Sequence, residues 1–130
     1  MITHSLLLIK PRRLEPGQTL GVVAPAYTID EDDRIQAGIE TVESLGFRAR
    51  PGRHLFRRHG YFAGTDQERA ADLNAMFADP DVAGIICLRG GYGASRTLPF
   101  LDFDLIRRNP KPLIGYSDIT TLLNPIQRLT

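Results

Sequence analysis

The sequence has a single cysteine and lacks the paired cysteines and histidines from which structural zinc sites are built. One cysteine cannot form a disulfide within the chain, and no Cys/His spacing matches a zinc motif. The sequence therefore predicts no metal site and no cofactor, and it is compatible with a reducing compartment such as the cytoplasm.

An excess of charge of either sign is also missing. The chain has 16 basic and 15 acidic residues, for a formal net charge of +1. This balance gives no electrostatic footprint for nucleic acid or for a membrane surface. We therefore expect a small molecule or a protein as the partner, and neither a nucleic acid nor a membrane.

Long hydrophobic runs are absent as well. The apolar run near the N-terminus extends only from Leu6 to Ile9, and its basic residues follow it rather than precede it. It is too short, and in the wrong order, for a signal peptide, and no segment is long enough to span a bilayer. Residues 1–13 are interpreted as an N-terminal tail, and a cytoplasmic location is expected.

What the sequence does contain is an alternation of strand-like and helix-like segments. With 130 residues and 42% hydrophobic residues, the chain is long enough for one domain with a real core. Strand and helix patterns alternate about four times without a hairpin signal. The sequence predicts a single α/β domain with a doubly wound, mostly parallel sheet, either flavodoxin-like or Rossmann-like.

Apolar runs predict strands, and amphipathic segments predict helices between them. The predicted strands cover residues 19–26, 47–52, 82–88 and 112–116. One helix is predicted to open with a capping box at Thr28 and Glu31, to bury a stripe that ends at Leu45, and to end at Gly46. A second capping box is predicted at Thr65 and Glu68.

The remaining segments are less regular. Residues 54–64 predict a long loop with aromatic residues, and residues 98–106 predict a short helix. A final helix follows Ser117. Pro125 removes one of its hydrogen bonds and crowds the carbonyl of Thr121, so this helix is predicted to break or kink there.

Two loops follow predicted strands, and ligands of parallel α/β sheets gather at that edge. The first, "LRGGYGASR", lets backbone N–H groups approach a ligand closely, but it matches neither the dinucleotide fingerprint nor the P-loop. Arg89 in it either binds a substrate carboxylate or pairs with a nearby acid and shapes the loop. Tyr92 either lines a substrate groove or fills space left by the glycines.

The second loop is "GYSD", residues 115–118. A serine between a strand and a helix resembles a nucleophile elbow, although Ile119 replaces the glycine expected there. Alternatively, Ser117 only caps the helix. The Asp118 side chain is expected to cap or charge the helix N-terminus, while its N–H suits an oxyanion. The spacing alone leaves both interpretations of the serine open.

Residues 62–120, "FAGTDQERAADLNAMFADPDVAGIICLRGGYGASRTLPFLDFDLIRRNPKPLIGYSDIT", resemble the N-terminal half of the LD-carboxypeptidases, serine peptidases that act on murein tetrapeptides, and the related microcin-immunity peptidases. "GVVAPA" near the start also fits, and "RGGYG" and "GYSDIT" are specific in combination. The resemblance covers about residues 14–123, which we interpret as the nucleophile domain. Residues 124–130 depart from the family pattern.

The resemblance implies roles for individual residues. Ser117 matches the family's nucleophile, and the N–H groups of Asp118 and Gly91 are implied as the oxyanion hole. A murein peptide is the implied substrate. Arg89, Gly90 and Tyr92 are, from their place in the glycine loop, the candidate substrate-binding residues. We expect the donors of Gly91 and Asp118 to converge, and Ser117 to have a strained backbone.

The resemblance implies a catalytic histidine and glutamate in a C-terminal domain, which we expect to be absent from this chain. His4, His54 and His59 match no catalytic position, and His54 and His59 are interpreted as loop histidines without a suited carboxylate partner. The chain alone is therefore expected to be inactive. Self-association is expected as well, because a domain without its partner exposes apolar surface.

Two other functions remain open from the sequence. The chain could bind muropeptides as a non-catalytic or regulatory module. It could also be a small α/β domain that binds an anion through the N–H groups of residues 90–93.

Overall fold

The computed structural model describes residues 8–130, which form one parallel sheet with helices on both faces. Its strands are β1 (Thr19–Val23), β2 (Arg48–Pro51), β3 (Val82–Cys87) and β4 (Leu113–Ile114). They lie in the order β2-β1-β3-β4, and all three pairings are parallel. This order matches the first four strands of the flavodoxin-like arrangement and differs from the Rossmann order. The predicted α/β class is confirmed.

The connections are helical, as the alternating pattern predicts. They are α1 (Asp32–Ser44), α2 (Asp66–Ala78), α3 (Phe103–Arg108) and α4 (Thr120–Leu129). Two 3₁₀ helices, Ala94–Phe100 and Ser117–Ile119, follow β3 and β4. Residues 98–106, predicted as one short helix, therefore include parts of two helices that are separated by Leu101 and Asp102.

The core consists of two apolar layers, because successive residues of a strand point to opposite faces of the sheet. Leu20 and Val22 of β1 pack in the layer that contains α1, whereas Val23 packs in the layer that contains α2. Ile85 of β3 lies in the α2 layer and Ile86 borders the α1 layer. Burial on both faces explains why these strands read as continuous apolar runs.

The start of α1 differs from the prediction. Glu31 is the N-cap residue and no side chain caps it, so the capping box at Thr28 and Glu31 is wrong. Thr28 is buried, and its N–H donates to the Tyr61 carbonyl at 2.9 Å. Leu45 at the other end is 67% exposed, so the buried stripe of α1 ends at Val42. Tertiary contacts of the loop before the helix override the local signal.

The predicted break at Pro125 is also wrong, because α4 continues through it to Leu129. Proline costs a helix one hydrogen bond. Here Leu122 and Ile126 on either side of Pro125 are buried in the α2 layer, and this packing holds the helix together.

At the N-terminus, residues 8–13 have no regular secondary structure. Residues 1–7, which include His4 and the start of the apolar run, lie outside the described residues. Within residues 8–130, no helix is long and apolar enough to cross a membrane.

The start of α2 is as predicted and provides a test of local stability. The Thr65 hydroxyl accepts from the Glu68 N–H at 3.1 Å, and the Glu68 carboxylate accepts from the Thr65 N–H at 3.0 Å. Thr65→Ala should lower the free energy of unfolding by about 1 kcal/mol in urea titrations, because one end of the capping box is lost.

Thr41→Ala is the matched control, since the exposed Thr41 hydroxyl only donates within α1 to the Ala37 carbonyl. This variant should be neutral or slightly stabilising, because alanine has the higher helix propensity. Equal losses in the two variants would contradict the role of the capping box.

Cys87 lies in the α2 layer as a buried core residue, as the sequence analysis expects. Burial raises the pKa of its thiol to about 12. Because the thiolate is the reactive form, iodoacetamide at about pH 8 should leave the native chain unmodified in intact-mass spectra and label the denatured chain. Labelling of the native chain at the rate of a free cysteine would show that the strand opens.

Candidate active site

The loops after β1, β3 and β4 meet at the carboxyl edge of the sheet. β1 and β3 are neighbours in the sheet although α1, β2 and α2 lie between them in the chain. A sheet of this topology opens a crevice at such a point. "RGGYG" follows β3 and "GYSD" follows β4, so the two predicted loops lie at the same edge.

Ser117 sits in a sharp turn between β4 and the 3₁₀ helix that leads into α4. Its φ is 56°, and it is the only residue other than glycine with positive φ among residues 8–130. This left-handed conformation is unfavourable for a serine and persists only where the surroundings impose it. The expected backbone strain at Ser117 is confirmed.

The Ser117 side chain does not cap the helix. Tyr116 and Ile119 are the N-cap residues of the 3₁₀ helix and of α4, and neither start has a side-chain cap. Ser117 is exposed. The capping interpretation of the serine therefore finds no support in the part of the chain that the structure describes.

The glycine loop lies directly against this turn. A Cβ on Gly90 would lie 3.0 Å from the Ser117 Cβ, 3.3 Å from its Oγ and 3.2 Å from the Asp118 nitrogen. Any side chain at position 90 would therefore crowd the serine. Gly91 has a φ of 117°, and a Cβ there would lie 2.5 Å from the Tyr27 ring.

Two backbone donors belong to these loops. Within residues 8–130, the N–H groups of Gly91 and Asp118 donate to no protein acceptor. Parallel pairing of β3 with β4 brings both to one edge of the sheet. Their convergence on a single oxygen stays a prediction.

The Asp118 side chain accepts a hydrogen bond that the sequence analysis does not predict. Its Oδ2 accepts from the Ala94 N–H at 2.9 Å, so it caps the 3₁₀ helix after the glycine loop and not its own helix. The Asp118 carboxylate thus ties the serine turn to the glycine loop.

Arg69 in α2 is the second residue that was missed. It is 2% exposed, and its guanidinium donates to the carbonyls of Gly64, Pro25 and Gly93 at 3.1, 2.7 and 2.8 Å and to the Asp66 carboxylate. Burial lowers its pKa, and the charge of Asp66 opposes that shift. An arginine four residues before Leu73, in line with the apolar stripe of α2, is the sequence signal that could have found it.

Arg89 and Tyr92 have structural contacts and also face open space. Arg89 donates to the Thr28 carbonyl at 3.2 Å and lies over the Tyr27 ring at 5.7 Å. It also lines a cleft of about 440 Å³ beside Tyr116. Tyr92 is 54% exposed, and its ring lies 6.3 Å from that of Phe62.

The histidines need one correction. His54 does have a carboxylate partner. Its ring Nδ1 lies 2.8 Å from the Asp72 Oδ1, and its backbone N–H donates to the same carboxylate. The pair was missed since 18 residues separate its members. His59 forms a tight turn with Phe62 through two backbone hydrogen bonds.

The His54–Asp72 pair lies far from the serine. His54 follows β2, whereas Ser117 follows β4, and β1 and β3 lie between these strands. Three strand spacings amount to about 14 Å. This pair therefore cannot take a proton from Ser117. Among residues 8–130, no group of three or more potential metal-ligating side chains is present.

Fold and site together define a class: an α/β domain with an exposed serine at a strained strand–helix turn beside a glycine loop. A comparison with protein families matches residues 20–130 to the LD-carboxypeptidase N-terminal domain. The chain therefore belongs to the LD-carboxypeptidase family, as its resemblance implies.

Curated relatives agree with this assignment. The chain is 43% identical over 121 residues to the probable murein peptide carboxypeptidase of Bacillus subtilis, and the match covers 93% of this chain and 38% of that protein. It is 40% identical over 110 residues to the murein tetrapeptide carboxypeptidase of Pseudomonas aeruginosa, covering 84% and 36%. The chain thus spans little more than a third of the length of these relatives.

A solved structure shows the same architecture. The microcin C7 self-immunity protein MccF without ligand superposes with a TM-score of 0.88 at 35% identity. The match covers 94% of this chain and 37% of that one.

A pair of glycine substitutions can test the packing of the glycine loop. Gly17 also has positive φ, but a Cβ there would meet nothing within 4 Å, whereas at Gly91 it would strike Tyr27. Gly17→Ala should cost about 1–2 kcal/mol of stability from backbone strain alone. Gly91→Ala should cost more and should change the near-ultraviolet signal of the tyrosines.

Urea titration and circular dichroism measure both effects. Equal losses and an unchanged tyrosine signal in Gly91→Ala would show that the loop does not pack on Tyr27.

Proposed function

We propose that this chain is the nucleophile-bearing half of a serine carboxypeptidase that releases terminal D-alanine from murein tetrapeptides. The observation that carries the proposal is Ser117: it is exposed, strained and free of capping bonds, with Gly90 packed against it. Membership of the LD-carboxypeptidase family supplies the reaction class.

In the proposed reaction, the Ser117 Oγ attacks the carbonyl carbon that precedes the terminal D-alanine. A base takes the hydroxyl proton, and the carbonyl oxygen becomes an oxyanion that accepts from the N–H groups of Gly91 and Asp118. The C–N bond then breaks, the amine leaves with a proton, and water hydrolyses the acyl-enzyme. The helical turn that begins at Ser117 adds the positive end of its dipole.

Substrate binding is assigned to Arg89, Gly90 and Tyr92. Only one hydrogen bond of the Arg89 guanidinium is made within residues 8–130, so further donors face the cleft and suit the terminal carboxylate of the peptide. Gly90 leaves the space over the serine open. The exposed Tyr92 ring provides an apolar wall beside it.

We propose that the base comes from outside the described residues and that the 130-residue chain alone is inactive. His54, which follows β2, is held by Asp72 three strand spacings from β4, and the backbone of His59 is held in a turn with Phe62. The murein carboxypeptidases that the chain resembles are much longer. A second domain, or a second copy of the chain, would supply the histidine.

The distance between His54 and Ser117 also favours a second candidate, a non-catalytic module that binds muropeptides. This module would use the same cleft and the same backbone donors without turnover. It differs from the first proposal in making no covalent bond to Ser117.

Release of D-alanine from a murein tetrapeptide distinguishes the two functions. The purified chain should be slower than a full-length relative by about 10⁴-fold or more, since a serine without its base loses most of its rate. Added imidazole should raise the rate of the unmodified chain and leave Ser117→Ala at background, because imidazole can replace the missing base.

Binding without any imidazole-dependent release would favour the non-catalytic module. Release at the rate of the full-length relative, abolished in Ser117→Ala, would show that the chain contains its own base.

A further inference from the structure

One peptide unit, between Gly93 and Ala94, is held from both sides by opposite charges. Its carbonyl accepts from the Arg69 Nη1 at 2.8 Å, and its N–H donates to the Asp118 Oδ2 at 2.9 Å. The negative end of the peptide dipole thus faces the cation and the positive end faces the anion. We call this arrangement the peptide clamp.

The clamp is built for rigidity. Arg69 is buried, and its planar guanidinium also donates to Gly64 and Pro25 on two other loops. A guanidinium with several fixed acceptors has little freedom to move. The carbonyl of Gly93 is therefore fixed relative to α2 and to the chain after β1.

The clamp lies next to the proposed oxyanion donors. The N–H of Leu88 is fixed by a bond to the Val23 carbonyl at 2.9 Å. Only residues 89–92 lie between this anchor and the clamp, and Gly91 is one of them. Their flexibility is limited from both ends.

Asp118 connects the two donors directly. Its carboxylate holds the end of the glycine loop, and its own N–H is the second proposed donor. A single residue therefore ties its own N–H to the end of the glycine loop, three residues after Gly91.

From this geometry we infer that the Asp118 side chain and Arg69 are positioning residues for the oxyanion hole. They do not touch the substrate. They set the spacing of the two N–H groups, on which stabilisation of the oxyanion depends. The inference rests on the proposed function of Ser117.

A fluorophosphonate probe tests it on the 130-residue chain, with imidazole as the external base. The Ser117 Oγ forms a bond to phosphorus, the P–F bond breaks, fluoride leaves with the bonding electrons, and imidazole takes the hydroxyl proton. Intact mass gives the labelling rate, and peptide mapping locates the label. The concentration dependence separates the maximal rate from the binding constant of the probe.

Asp118→Ala should lower the maximal labelling rate by about tenfold or more and leave probe binding unchanged, because the clamp acts on the transition state. Asp118→Asn should stay within about threefold of the unmodified chain, since its amide oxygen can still accept from Ala94. Arg69→Lys should also label more slowly, because an ammonium cannot reach all the carbonyls that the guanidinium reaches.

Asp102→Ala is the matched control. The Asp102 carboxylate likewise accepts a backbone N–H at a helix start, that of Leu105 at 2.9 Å, but it is not part of the candidate site. This variant should lose stability and keep its labelling rate. Melting temperatures of all variants separate loss of fold from loss of positioning.

Labelling of Asp118→Ala at the unmodified rate would overturn the clamp while leaving the role of Ser117 intact. The same holds for an equal loss in Asp102→Ala, which would show a general effect of stability. No label on Ser117 in the unmodified chain would overturn the proposed function, and the clamp with it.

Discussion

The buried guanidinium of Arg69 is the interaction on which the carboxyl edge of the sheet depends. It donates to three backbone carbonyls, on the loops after β1 and β3 and before α2. Burying a cation costs several kcal/mol, whereas each hydrogen bond that it makes contributes about 1.5–3 kcal/mol. Three loops are thereby fixed to one helix.

The strain at Ser117 follows from this rigidity. An unfavourable backbone conformation persists only where its neighbours permit no relaxation. Gly90 packs against the serine, and the Asp118 carboxylate holds the chain on the other side of the turn. The same contacts therefore maintain the strained conformation of Ser117 and hold its turn against the glycine loop.

Local signals in the sequence were enough to predict the sheet, the capping box of α2, and the two loops of the site. Each of these predictions rests on a pattern of residues that are close in the chain. Three contacts could not be predicted in this way, because each joins residues that lie 18 to 44 positions apart: Arg69–Pro25, Asp118–Ala94 and His54–Asp72. At Thr28 and Pro125 the local sequence predicts a helix cap and a helix break, and tertiary contacts outweigh both preferences.

The sequence separations within the site also bear on how its shape is maintained. Arg69 and Pro25 are 44 residues apart, and Asp118 and Ala94 are 24 apart. Closing such loops costs entropy, which the packing and strand pairing of the native fold offset. The serine turn therefore keeps its shape only in a chain whose sheet is paired. Under the proposed function, a partly folded chain lacks the strained serine turn, and the expected reactivity of Ser117 appears together with the native state.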